Sequence, residues 1–356
     1  GRAALAVAGL LCLVGRGAAL PRCPPVSSIV ESMNGNPEDA SVQLAGCRSL
    51  QSCVNTGSKE SQDAAAAAGC LEASIGALRR FPDRKELQKA CIGASANPVL
   101  FNRENGLRAG RLGGLNLTLA AYRKWMDDPS VTSLGGSIGC YMDYCDENRK
   151  ILRELGGVHL LVENIKNNFH GRYGDWNYEP VKQSLFALSS GCWRNQDLCH
   201  AEGFVPLSVQ LMNERTGWSK IAEEALQAIK GMIGYSEDYR REFAEQGLAA
   251  TLAKVVKENP EDRGAIAAAC QTVRFLVGPL QQVKDLGQPG EFQTSFDEGI
   301  QARATREGLL QQLLATIRSR AHLVHREHGG FNFDVDAAYN AEAECLSALS
   351  SMGYQN

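Results

Sequence analysis

The sequence predicts an all-α fold of about seven three-helix units in series. One unit is legible by itself, and two marks recur along the chain with one period. The legible unit runs from Ser236 to Val277. Ser236 is an N-cap candidate followed by acidic residues, which suit the free N–H groups of a first helical turn. Phe243 anchors that short first helix, and Gly247 ends it. Leu248, Leu252, Val255 and Val256 form the apolar stripe of a second helix. Asn259-Pro260 stops it, because the residue before a proline is pushed out of helical geometry. Ile266, Cys270, Val273 and Leu276 make the stripe of a third helix. None of the three can bury its stripe alone, so the unit requires stacked neighbours.

The first mark is a break glycine followed by an apolar residue, at Gly69, Gly114, Gly157, Gly203, Gly247 and Gly308, in steps of 45, 43, 46, 44 and 61 residues. The second is the third-helix stripe: Cys47/Leu50/Cys53, Cys91/Ala94/Asn97, Ser137/Cys140/Asp143, Leu185/Leu188/Gly191, Leu226/Ile229/Met232, Cys270/Val273/Leu276 and Leu346/Leu349/Met352. The segments AAAAAGCLEASIGAL, ILRELGGVHLLVENI, LCHAEGFVPLSVQLM and FAEQGLAATLAKVV carry the first mark, with helices such as EALQAIKGMIG after them. In these segments the chain resembles the armadillo-repeat family, whose period is roughly 40–47 residues. The resemblance covers roughly residues 26 to 353. It implies a right-handed superhelical solenoid and a non-catalytic scaffold or accessory subunit. It names no partner, since one fold hosts many roles.

In chain order, residues 1–19 stand apart from the repeats, which occupy 24–356. Arg2, the uncharged run Ala3 to Val14 and the small residues up to Ala19 resemble a signal peptide. That predicts the secretory pathway or an organelle lumen, with a plastid or thylakoid among the destinations. If the segment is retained, residues 3–14 become an anchor and the chain a membrane-tethered adaptor. Ser27 to Val54 is an incomplete first unit, as terminal repeats often are. Insertions fall near 167–180, 278–298 and 321–334. The first, from Asn168 to Pro180, holds Tyr173, Trp176 and Tyr178. It reads either as a partner-binding loop or as a loop folded back over its own rings.

A net charge of −3 with 22% charged residues gives no electrostatic case for nucleic acid. Twelve cysteines are present, and those in the third-helix stripes (Cys47, Cys53, Cys91, Cys140, Cys270) read as small buried hydrophobes with free thiols. Cys140 with Cys145, or Cys192 with Cys199, can be bridged only if the fold brings them together. Asn116-Leu117-Thr118 is a formal glycosylation sequon inside a predicted second helix, and is expected to be unused.

Two motifs touch on catalysis. Gly135-Gly136-Ser137-Ile138-Gly139 matches the GxSxG pattern of a hydrolase, but that elbow needs a strand before the serine, and a third helix is predicted here. His322, His325 and His328 lie near Asp334 and Asp336, yet on a helix the third histidine has rotated away from the first. No cofactor and no metal site is expected.

In armadillo proteins such as importin-α and β-catenin the third helices line a concave face, where an asparagine ladder holds a peptide. The matching positions are Ser52, Ala96, Met142, Ser190, Gly231, Phe275 and Ser351. One turn earlier, in place of the import receptors' tryptophans, stand Arg48, Ile92, Ile138, Phe186, Gln227, Gln271 and Ser347. Neither signature is present, so nuclear-import cargo binding is not expected. What remains is an apolar patch of Ile138, Met142, Phe186, Tyr235 and Phe275, flanked by Ser190, which suits a helix or a folded protein partner. A one-residue shift in register would bury several of these side chains instead.

Overall fold

The computed structural model describes residues 23–54, 56–169, 178–215, 217–234, 236–278, 298–324 and 345–349, with backbone alone at 317–324. Every regular element among the described residues is a helix. None is long and apolar enough to cross a membrane. Residues 1–22, with their signal-like run, lie outside the described residues, as do most of the second and third insertions.

The contacts divide the chain into two compact units, residues 1–124 with 140–148 and residues 125–139 with 149–356. In the first, α1 (Val26–Gly35) and α2 (Ala40–Cys53) form the short opening repeat. A full triplet follows: α3 (Lys59–Ala67), α4 (Cys70–Arg80) and α5 (Lys85–Ala96). Then come α6 (Arg103–Arg111) and α7 (Gly114–Lys124). The third helix of that repeat is broken into α8 (Pro129–Thr132), which falls in the second unit, and α9 (Gly135–Met142), which the division splits after residue 139.

The second unit continues with α10 (Asp146–Glu154), α11 (Gly157–Phe169) and α12 (Tyr178–Gly191). The next triplets are α13 (Gln196–Ala201), α14 (Phe204–Glu214) and α15 (Ser219–Ile233), then α16 (Glu237–Glu245), α17 (Leu248–Glu258) and α18 (Arg263–Val277). It closes with α19 (Glu298–Arg306), α20 (Leu309–Val324) and a helical turn at 345–349.

The capping is periodic. Ser58, Asn102 and Ser236 side chains accept from backbone N–H groups at the start of α3, α6 and α16. Asp39, Asp128 and Asp262 do the same for α2, α8 and α18. The break glycines adopt positive φ, from 66° to 88°, at Gly69, Gly113, Gly156, Gly203, Gly247 and Gly308. In the two Gly-Gly pairs it is the first glycine that takes the left-handed turn, so the expected break at Gly114 and Gly157 moves back by one residue. The second glycine has another task. A Cβ at Gly114 would lie 2.8 Å from the Tyr141 hydroxyl and 2.9 Å from Ile75 Cδ1, so this start of α7 has room only for hydrogen.

A polar series runs beneath the apolar one. In several repeats a side chain of the first helix reaches the carbonyls that end the third helix. Gln62 Nε2 donates to the carbonyls of Asn97 and Leu100, Arg149 Nε to Ser190, Gln196 Nε2 to Gly231 and Arg240 Nη1 to Gly278. Helix C-termini leave such carbonyls without partners, and burying them unpaired is costly. Arg240 is 1% exposed, so this guanidinium is part of the core.

The free-thiol reading of Cys47, Cys53, Cys91 and Cys270 is corrected, whereas Cys140 keeps its thiol. Cys47–Cys91, Cys23–Cys53, Cys192–Cys199 and Cys270–Cys345 are disulfides. Cys70, Cys140 and Cys145 remain thiols. The reason is the repeat itself. Stacked third helices bring equivalent positions face to face, and the Cα atoms of Cys47 and Cys91, 44 residues apart in sequence, come within 4.9 Å. That lies inside the range a disulfide spans. Cys270 and Cys345 stand in the same relation with a Cα separation of 4.8 Å, one repeat plus its insertions apart. Burial pushes the Cys70 thiol up to about 12, which keeps it protonated and inert.

Candidate binding face

The third helices α12, α15 and α18 pack side by side in the second unit. Their inner stripes are fully buried: Leu185 and Leu188, Leu226 and Ile229, Cys270 and Val273 are each 0% exposed. On the opposite side of the same helices Lys182, Phe186, Gln227, Lys230, Gln271 and Phe275 are half-buried. Lys230 Nζ donates to Gln271 Oε1, tying α15 to α18 across this face.

The two phenylalanines are seated on glycines. A Cβ at Gly139 would meet the Phe186 ring at 3.1 Å, and one at Gly234 would meet the Phe275 ring at 3.3 Å. Each ring therefore lies against bare backbone, leaving only part of its area to water. The expected apolar patch becomes a mixed face, with amides and lysines between the two rings.

Ile138 and Met142 do not belong to it, because both are 0% exposed. In the third repeat the stripe is shifted by one residue: Ile138 and Tyr141 are fully buried, whereas Ser137 and Cys140 are only half-buried. The break between α8 and α9 causes the slip, since the third helix of this repeat restarts at Gly135. In the last repeat Leu349 is buried as expected, but Cys345 and Ala348 are buried beside it and Leu346 is 50% exposed. Ser190 is half-buried, and its carbonyl accepts from Arg149. Tyr235, Tyr173 and Trp176 lie outside the described residues. The first insertion is shorter than expected: Asn168 and Phe169 end α11, with Phe169 1% exposed, and Tyr178 already begins α12.

Tyr178 forms one corner of the face, with Trp218 edge-on at 5.4 Å between centroids. Lys182 Nζ stands 5.5 Å from the centre of the Tyr178 ring, and the Arg215 guanidinium 5.5 Å from that of Trp218. Burial, with Glu179, Glu224 and Glu223 behind it, pushes the Tyr178 hydroxyl up to about 12. Glu224 lies beneath this corner. Burial and then the neighbouring Glu223 carboxylate push it up to about 7, against the pull of Lys182 and Lys220.

The GxSxG-like stretch is helical. The Ser137 N–H donates to the Leu134 carbonyl, and Gly136 and Gly139 turn toward Gln183, Phe186 and Ala187 of α12. These glycines allow helix approach, and the strand that a nucleophile elbow requires is not what precedes Ser137. Of the three histidines, His322 is described only as backbone in α20, and His325 and His328 lie outside the described residues.

No protein-family model and no curated protein sequence matches the chain. Solved structures do. An engineered protein is similar with a TM-score of 0.58 and 19% identity, over 71% of this chain and 96% of its own. A structure from work on a phosphorylation switch controlling the interaction between cadherin and beta-catenin has a TM-score of 0.58 and 13% identity, over 90% of this chain and 53% of its own. A designed armadillo repeat protein in complex with peptide (KR)4 gives a TM-score of 0.44 at 14% identity. The fold is armadillo-repeat-like. In α12, α15 and α18 the third helix buries one stripe and holds another half-buried.

The amide positions of this face, Gln227 and Gln271, read in sequence only as missing tryptophans, and Lys230 carries no mark there. Of the bridged cysteines, Cys47, Cys53, Cys91 and Cys270 read in sequence as core, while the Cys192–Cys199 bridge stood open. Gln227 with Gln271, and Cys47 with Cys91, carry a signal in sequence, since each pair recurs after 44 residues.

Proposed function

We propose that this chain is a non-catalytic interaction scaffold or accessory subunit that binds a protein partner on the half-exposed third-helix face of α12, α15 and α18, the surface that is concave in armadillo proteins. One observation carries the reading. Three consecutive third helices keep their inner stripes dry while holding Phe186, Gln227, Lys230, Gln271 and Phe275 half-exposed in one row. An amide both donates and accepts, so Gln227 and Gln271 can pair with backbone or side-chain groups of a partner. Half-exposed rings supply anchoring area beside them. The cadherin–beta-catenin interaction recorded for a structure of this fold supports a protein as the partner class.

We further infer that the scaffold works in an oxidising lumen reached through its signal-like segment. Four disulfides support this, because cytosolic reductants keep thiols open.

The test is site-specific photo-crosslinking in native extract, with the probe at Gln227 and, as a control, at exposed Gln210 on α14. The reading expects a discrete protein adduct from position 227 and none from 210. Equal adducts from both positions, or none from 227, would remove the face from consideration.

A further inference from the structure

We propose that Asn116 carries an N-linked glycan, a covalent modification that rests on the oxidising-lumen reading above. The sequon Asn116-Leu117-Thr118 was expected to be unused because it lies in a helix. The structure removes that objection. On α7 the buried stripe is Leu115, Thr118, Leu119 and Tyr122, whereas Asn116, Ala120 and Arg123 are exposed. Asn116 therefore sits on the solvent stripe of an amphipathic helix. Ala120, one turn further along that stripe, carries only a methyl group where a larger side chain would crowd a sugar.

Thr118 shows when the transfer occurs. It is 1% exposed in the folded chain, so no enzyme reaches its hydroxyl there. The acceptor reaction needs that hydroxyl free at the second position after asparagine, so transfer precedes folding, on the extended chain. Folding then buries Thr118 and leaves Asn116 and its sugar in water, and the finished fold tolerates the modification.

The chemistry balances with one co-reactant, an oligosaccharide linked to a polyprenyl pyrophosphate. The Asn116 amide nitrogen attacks the anomeric carbon, forming a C–N bond. The C–O bond to the pyrophosphate breaks, and the lipid pyrophosphate leaves with the electron pair. The amide proton passes to a base on the transferase. The same lumen that supplies this donor also oxidises Cys47 and Cys91 in the same compact unit, so the disulfides and the sequon point to one route.

The experiment is intact-glycopeptide mass spectrometry of the protein purified from its own cells, with cysteines alkylated beforehand under denaturing, non-reducing conditions. The expected result is a hexose- and N-acetylhexosamine-bearing peptide spanning Asn116. That mass should vanish in Asn116→Gln and persist in Thr118→Ser, which keeps the sequon and the hydroxyl. An unmodified Asn116 peptide in protein whose disulfides are intact would overturn the glycan alone. Unmodified Asn116 together with fully alkylated cysteines would overturn the oxidising-lumen reading as well.

Discussion

Reducing the Cys47–Cys91 disulfide should destabilise the first unit by an amount the repeat length determines. The bridge joins α2 to α5 across 44 residues. Loop-closure entropy for a ring of that size is worth about 4 kcal/mol at room temperature. The bonded sulfurs also lie in the core, where both cysteines are 0% exposed, so reductant must wait for local opening. The assay pairs Cys47→Ala/Cys91→Ala with urea unfolding followed by far-ultraviolet circular dichroism. Cys70→Ala serves as a control at a buried free thiol. A loss near 4 kcal/mol lowers the urea midpoint of the affected transition by more than about 1 M. Because repeats unfold semi-independently, the loss should appear as a separate early transition. Alkylation of the unreduced, denatured protein should find eight cysteines shielded, two for each bridge. Full alkylation, or a double variant as stable as the parent, would refute the staple and with it the argument for an oxidising compartment.

Two further outcomes follow from local geometry. Gly247 has φ of 83° with open space where a Cβ would stand, so Gly247→Ala costs only the left-handed strain, about 1–2 kcal/mol. Gly247→Asn should recover part of that loss in the same thermal melt, since asparagine visits the left-handed region more readily. Glu224 is pushed up to about 7 when folded and falls to the ordinary carboxylate range when unfolded. The folded chain thus binds the extra proton between those values, and stability from this group is lost as pH rises from about 4.5 to 7. Glu224→Gln should therefore raise stability at pH 8 by about 3 kcal/mol at most and leave it unchanged at pH 4. A gain of equal size at both pH values would show that packing, not charge, was relieved.

Much of the repeat was legible because one period writes itself twice, in turns and in stripes. Ser236, Phe243, Gly247 and Asn259 sit at the cap, core, turn and stop expected of them. Reading failed where the period slipped. Doubled glycines hid which one takes positive φ, and the break between α8 and α9 moved Ile138 and Met142 from the face into the core. A shift of one residue turns a helical side chain by about 100°, enough to exchange surface for interior.

The local sequence determined helix ends, turns and the dry stripes, since propensity, capping and periodicity act within a few residues. Only the tertiary structure decided which equivalent positions meet. It brought Cys47 to Cys91, laid Phe186 on Gly139 and Phe275 on Gly234, sent Arg240 to the Gly278 carbonyl, and set the half-buried Glu224 beside Glu223. These pairings depend on distances across neighbouring helices that no single segment encodes, because they arise from how stacked units pack on one another.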